Sequence, residues 1–380
     1  MQKSSVSKNT VILLMSMIFL QPNLMAKPKI LKHVAIYQET GRFGGWPANF
    51  GIWSWGDEIL VGFARGYFKD LGPERHNIDR EKPEDHIFAR SLDGGHTWML
   101  EDPAKDGVLI ARGGALHGVE PTKEYKEITK LEKPIDFSHP NLVMTFRMLD
   151  VHIGPSLFYY SYNRGKSWDG PFSLLVGDFT KISARTDYII TSPKSCFAFL
   201  TAAKSNDKEG RPFCAETNDG GLSWKMRSWI GPEPKSGFSI MPSTVSITDD
   251  VYLTTLRCRE GDQRWIESYL STNACKSWEY MGKPVKDLGE GNPPSLIKLR
   301  DGQLCLTYGY RAEPFGIYAK FSSDNGKTWS KAATLRDDGA GRDIGYVRSV
   351  QLPNENIVTI YYFQDNLAPE RYVAATIWKP

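Results

Sequence analysis

Charge of one sign is largely missing from this chain. Its 380 residues carry 47 Lys and Arg against 44 Asp and Glu, a net of +3. That balance gives no reason to expect a nucleic-acid partner. Cysteine is scarce as well. The five are Cys196, Cys214, Cys258, Cys275 and Cys305. None sits in a CxxC or Cys/His spacing, so no metal site is expected, and no motif calls for a cofactor. The odd number leaves at least one thiol unpaired within the chain. Cys196 and Cys214 fall on neighbouring expected strands, where a disulfide or two buried thiols are equally open readings.

Long apolar runs are absent except near the start. Val11 to Leu20 is mostly apolar, preceded by Lys3 and Lys8 and followed by Leu24-Met-Ala26. This run is too short to span a membrane and reads as a secretory signal over residues 1–26, removed before Lys27. No Cys follows it to carry a lipid. The expected mature protein is a single domain, 27–380, secreted or periplasmic. No linker, long helix or low-complexity segment interrupts it.

What the chain does have is aromatic residues, at 12%, and a repeated turn. Ser91-Leu-Asp-Gly-Gly-His-Thr-Trp98 returns as Ser161-Tyr-Asn-Arg-Gly-Lys-Ser-Trp168 and Thr217-Asn-Asp-Gly-Gly-Leu-Ser-Trp224. It returns again as Ser271-Thr-Asn-Ala-Cys-Lys-Ser-Trp278 and Ser322-Ser-Asp-Asn-Gly-Lys-Thr-Trp329. Asp or Asn can bond its own backbone, and Gly permits positive φ. The closing Trp re-enters the core. A turn returning roughly every fifty to seventy residues marks a propeller or solenoid.

These octets resemble the Asp-box (BNR) repeats of the sialidase superfamily. The resemblance implies an all-β six-bladed β-propeller in which each box joins the third and fourth strands of a blade; seven blades are the alternative. Runs of β-branched and aromatic residues support it, such as Val251-Tyr-Leu-Thr-Thr-Leu256 and Gln303-Leu-Cys-Leu-Thr-Tyr308. After Trp329 only three strands remain. The orphan strand His33 to Gln38 is therefore expected to complete the last blade and remove its exposed edge.

The channel mouth is where chemistry is expected. Arg65, Arg147, Arg257 and Arg311 recur at second-strand ends, with Lys204 as the blade-three counterpart. Such a set would bind carboxylate or sulfate, so an acidic glycan is the expected ligand. Acid/base candidates come from the loops: Asp70, Asp85, His86, His152, Glu290 and Asp343. His96 lies within a box, on the wrong side, and is set aside.

The sialidase resemblance further implies three substrate-binding Arg, a Tyr–Glu pair as nucleophile and an Asp as acid/base. Arg257, in Thr255-Leu-Arg257, matches the second Arg, and Tyr346 matches the Tyr. Gly45 stands at the first Arg position, where Arg42 could substitute only if its loop folds back. Trp46 beside it is a candidate to stack on a sugar. No Arg stands in Glu290-Gly-Asn-Pro293, and Met241-Pro-Ser243 lacks the partner acid. The expectation is therefore a glycoside hydrolase on an acidic glycan or polysaccharide, not a standard exo-sialidase. Superfamily lyases that cleave rhamnose–uronate polysaccharides with His, Tyr and Arg give a second reading, with candidates including His76, His117 and His139. A non-catalytic glycan-binding propeller is a third.

Overall fold

The computed structural model describes residues 27–103 and 126–380. The expected signal segment and His117 lie outside the described residues. Six antiparallel sheets follow one another in sequence order. Blade four shows the pattern most simply: Phe238–Ser246 is innermost, then Tyr252–Glu260, Gln263–Ser271 and Glu279–Val285. Blade five repeats it with Ser295–Lys298, Leu304–Tyr310, Gly316–Ser322 and Ala333–Arg336. Among the described residues blade two has three strands, Val143–Met148, Ser156–Ser161 and Asp169–Ser173.

Ring closure is as the strand count requires. Lys29–Tyr37 pairs antiparallel with Tyr372–Lys379, placing His33 opposite Thr376 and Ala35 opposite Ala374. Blade six is thus Gly345–Gln351, Ile357–Phe363, Tyr372–Lys379 and the N-terminal strand. The last strand of the chain lies hundreds of residues from this partner, and the pairing covers an edge that would otherwise be open.

Each Asp box joins the last two described strands of its blade, the third and fourth in blades one, three, four and five. In the first, Asp93 Oδ1 accepts hydrogen bonds from the His96 and Thr97 amides at 3.0 and 2.9 Å, and Oδ2 from Thr97 Oγ1 at 2.7 Å. Slight burial would raise this carboxyl, but the bonds from Thr97 and Ser91 outweigh it and hold it at about 2. Asn163 and Asn273 build the same cage without charge, their Oδ1 accepting the Ser167 and Ser277 amides at 2.9 and 3.0 Å. In the fourth box Ala274 and Cys275 replace the glycines, at φ 52 and 60. The five closing tryptophans differ more than expected. Trp168 and Trp224 are buried, whereas Trp98, Trp278 and Trp329 are half-buried. Trp329 lines a partly open cleft, and Trp98 and Trp278 donate from the indole N–H to the Gly95 carbonyl and Ser228 Oγ at 2.9 and 3.0 Å.

All five cysteines are buried free thiols. Cys196 and Cys214 do lie on neighbouring strands, but Cys196 is in register with Thr217 and Cys214 with Phe199, so the two sulfurs do not face each other.

The inner strands depart from regular β-structure. Several are broken near the channel mouth. In blade one the strand splits into Arg42–Gly45 and Ile52–Trp55 around a short 3-10 turn, Pro47–Asn49. In blade four the register slips between Ile240 and Ser243, and in blade six between Gly345 and Arg348. At these breaks Trp46, Met241 and Tyr346 adopt left-handed backbone, φ 59, 55 and 51. Non-glycine residues rarely do so, and such breaks re-aim side chains.

Candidate active site

Tyr346 is where the polar groups of the mouth meet. Gly345 before it is also left-handed, at φ 105. Two such residues in succession need external support. Asn292, fully buried in the loop before blade five, supplies it. Its Oδ1 accepts the Tyr346 amide at 2.9 Å, and its Nδ2 donates to the Ile344 carbonyl at 3.1 Å. A Cβ on Gly345 would come within 2.4 Å of Asn292 Oδ1, and one on Gly309 within 2.6 Å of Nδ2. Side chain and glycines interlock.

The Tyr346 hydroxyl accepts a hydrogen bond from an Arg257 terminal nitrogen at 3.1 Å. The Arg311 and Arg257 guanidinium carbons lie 5.5 and 5.8 Å from its ring centre. Burial alone would raise this phenol. The charges of Arg257, Arg311 and Arg185 prevail and lower it below the ordinary 10. Every other described tyrosine with a resolved shift moves upward.

The three arginines are not equivalent. Arg311 is buried, donating to the Ile344 carbonyl at 2.9 Å and to the Tyr362 hydroxyl. Arg185 is buried against Asn49 Oδ1, at 3.1 Å, and Glu209. Arg257 is half-buried. Its Nε has no hydrogen-bond partner, and among the described residues no carboxylate pairs with it. A partly desolvated guanidinium with unused donors is a place for an anion.

Beneath Tyr346 lies Asp343, buried and triply bonded. Oδ1 accepts from the Tyr362 hydroxyl at 2.6 Å and faces His76 Nδ1 at 2.5 Å; Oδ2 accepts Arg371 Nε at 3.0 Å. Burial would raise its pKa, but His76, Arg371 and Arg311 hold it well below the usual carboxylate range. An ionised carboxylate only accepts, so Nδ1 of His76 carries a proton and Nε2 is the remaining ring nitrogen. Trp46 meets His76 edge-on at 5.4 Å. His76, Asp343, Arg342, Arg75, Arg80 and Glu74 line a cavity of about 280 Å³.

Other residues expected at the site fall elsewhere. Arg65 is paired with Asp85 at 3.1 Å and Asp102 at 2.9 Å, which occupies both Arg65 and the candidate acid Asp85. His86 is buried, stacked on Phe50 at 4.3 Å. Arg147 is buried with its guanidinium 4.4 Å from that same Phe50 ring, and burial pushes it down to about 9. Arg42 does not fold back: its Nε donates to the Gly66 carbonyl at 2.8 Å and its guanidinium lies over Tyr67. Trp46 is fully buried against Phe43 and Tyr362, so it supports the site from within and presents no face to a sugar. His152 accepts the Glu209 amide at Nδ1, 3.2 Å, serving the Arg185–Glu209 pair indirectly. Glu290 is exposed and pairs with Arg342 at 3.4 Å. Asp70 caps its own loop at Gly72. Lys204 is buried.

Sequence reasoning missed Asn292, Arg185, Tyr362 and Arg371, and left His76 among several histidines. Asn292 sits inside the Gly289–Pro293 loop that was singled out, but nothing in its spacing marks it as the bridge to Tyr346. Among the described residues no cluster of three or more His, Cys, Asp or Glu could hold a metal, and no helix is long and apolar enough to cross a membrane.

Six four-stranded blades, or their described parts, with Asp-box turns and a Tyr–Arg mouth define a sialidase-fold propeller. The BNR repeat-like domain family matches residues 152–360, more than half of the chain, and the chain belongs to that family. No curated protein sequence matches it. Among solved structures it is similar to a protein of unknown function from Dyadobacter fermentans, at 18% identity and TM-score 0.68, over 93% of this chain and 99% of that one. An α-L-arabinofuranosidase from Fusarium graminearum superposes with TM-score 0.54 at 13% identity, covering 92% and 98%. Trypanosoma rangeli sialidase with bound sialic acid superposes with TM-score 0.55 at 10% identity, covering 91% of this chain and 58% of that one. At such identities the likeness is one of fold.

Proposed function

We propose that this chain is a secreted or periplasmic glycoside hydrolase that cleaves an acidic glycan or polysaccharide at the Tyr346 mouth and is not a standard exo-sialidase. The observation that carries the reading is the Arg257–Tyr346 pair. Arg257 is half-buried with no carboxylate partner among the described residues, leaving its terminal nitrogens for a substrate anion, and the surrounding arginines favour the phenolate of Tyr346, so the oxygen is activated without a neighbouring carboxylate. Met241 packs near Tyr346 where the superfamily's partner acid would stand, and Gly45 replaces its first Arg.

In this reading the phenolate attacks the anomeric carbon as the bond to the leaving oxygen breaks. That oxygen takes a proton from Nε2 of a His76 imidazolium, leaving the neutral ring protonated at Nδ1 towards Asp343. Water then cleaves the glycosyl–tyrosine bond and returns a proton to His76. Asp343 orients the imidazole throughout.

The same groups support a second reading, favoured by the His76–Asp343 pair. Arg257 would neutralise a uronate carboxylate, Tyr346 would take the C5 proton, and a C4–C5 double bond would form as the C4 oxygen leaves with a proton from His76. A screen over sialosides, rhamnosides and uronate-rich or sulfated polysaccharides separates the two. New reducing ends without near-ultraviolet absorbance identify a hydrolase; an absorbing unsaturated product identifies a lyase. With the substrate in hand, Arg257→Ala should weaken binding about tenfold or more, since charge-assisted bonds contribute roughly 1.5–3 kcal/mol each. Arg257→Lys should restore only part. Tyr346→Phe should depress kcat far more than KM. Binding without turnover on every glycan tested would leave a lectin-like propeller.

A further inference from the structure

We propose a second glycan-binding site on the flank of the propeller, in the cleft between blades four and five, which takes closely spaced carboxylate or sulfate groups of an anionic polysaccharide. It rests on the acidic-glycan reading only for the class of ligand. The cleft is about 440 Å³, within the size of small-ligand sites. Lys283 and Lys286 reach it from the last strand of blade four and its exit, Lys320 from the third strand of blade five, and Lys327 from the last Asp box. Trp329 and Met281 supply apolar wall.

Lys286, Lys320 and Lys327 line this space together with Lys283, whose ammonium is turned onto Trp265 on the other face of the blade-four sheet, and no carboxylate lines it. None of the four makes an ion pair among the described residues. The nearest acid in sequence, Asp287, is engaged by the Gly289 amide at 2.8 Å and the Tyr310 hydroxyl at 3.4 Å. Lys320 is fixed in place, its Nζ donating to the Pro284 carbonyl at 2.7 Å. Burial and the charge of Lys286 both lower its pKa, the mark of repulsion with no counter-charge. Lys283 lies 3.9 Å from the centre of the Trp265 ring. In a chain with nearly balanced charge, such a concentration costs folding energy unless an anion relieves it. The half-buried Trp329 offers a sugar an aromatic wall beside the ammonium groups.

The site lies on the Asp-box side and flank, on elements distinct from those that carry Arg257 and Tyr346. It therefore suits a polymer held at two points rather than a second active centre, and would raise affinity for long chains through effective concentration.

Affinity electrophoresis of the full-length protein tests this in gels containing polygalacturonate, dextran sulfate, neutral dextran or duplex DNA. The two anionic polysaccharides should retard the protein, and neutral dextran should not. Retardation by one alone identifies carboxylate or sulfate as the recognised group. The variant K283A/K286A/K327A should bind about tenfold more weakly, as expected for several exposed charge contacts. K283R/K286R/K327R should keep most of the affinity, and high salt should remove it. Arg257→Ala should weaken retardation only in part, and the lysine substitutions should remove what remains, so loss of the active-site reading would not carry this one with it. Equal retardation of the triple-alanine variant, no retardation of the wild type, or retardation by DNA alone overturns the proposal.

Discussion

The Arg257 guanidinium and the Tyr346 hydroxyl are hydrogen-bonded across 3.1 Å although the residues stand 89 positions apart on different blades. A phenol in that setting should ionise early. Difference titration of tyrosinate absorbance should show a first step below pH 10 that is missing in Tyr346→Phe and moves upward in Arg257→Ala. The sign for stability follows from a folded pKa below the unfolded one. The phenolate adds stability only as pH rises past the lowered value, and the gain is complete above about pH 10. Identical titration curves for wild type and Tyr346→Phe would remove the electrostatic case for this residue.

Asn292 should control that titration without touching substrate. Asn292→Ala leaves the Tyr346 amide without its partner and the Ile344 carbonyl with Arg311 alone, at a cost of about 1–3 kcal/mol in stability. Released from its left-handed turn, Tyr346 should also lose the contact with Arg257, and its phenol step should drift back towards 10. A mutant that is less stable yet keeps the early step would make Asn292 a packing residue only.

Asp343 gives the opposite pH sense. Its folded pKa lies below the unfolded value of about 3.9, so its contribution is fully present above that pH and is lost as acid titrates the folded carboxylate. Asp343→Asn should lose about 3–5 kcal/mol at neutral pH, as broken buried pairs do, because Arg371 is left uncompensated. Denaturant unfolding measured from pH 2 to 7 should show a flatter acid limb for the mutant. Parallel limbs would mean that other carboxylates set the acid sensitivity.

The Asp-box tryptophans should separate by burial. Trp224→Ala removes a buried ring from the core cluster it shares with Phe146 and Phe213, and should cost roughly 3–5 kcal/mol. Trp98→Ala, at a half-buried position, should cost clearly less. Thermal melts of the two variants make the comparison, and equal shifts would contradict it.

The repeated octets determined the architecture alone. An Asp or Asn that bonds its own turn, positive-φ positions after it and a Trp that returns to the sheet are local chemistry, written contiguously in the chain. From their spacing came the blades, and from the leftover strand came the closure of Lys29–Tyr37 onto Tyr372–Lys379. Arg257 was legible from its place at the end of a second strand, and Tyr346 only through the sialidase resemblance. What the tertiary structure decided is which of the repeated arginines remains available. Arg65, Arg147, Arg257 and Arg311 look alike along the chain, yet Asp85 and Asp102 take the first, Phe50 covers the second and Tyr362 engages the last. The kink that aims Tyr346, held by Asn292 from another blade, was equally hidden. Availability of a charge depends on burial and on partners from distant blades, and those are set only when the ring closes.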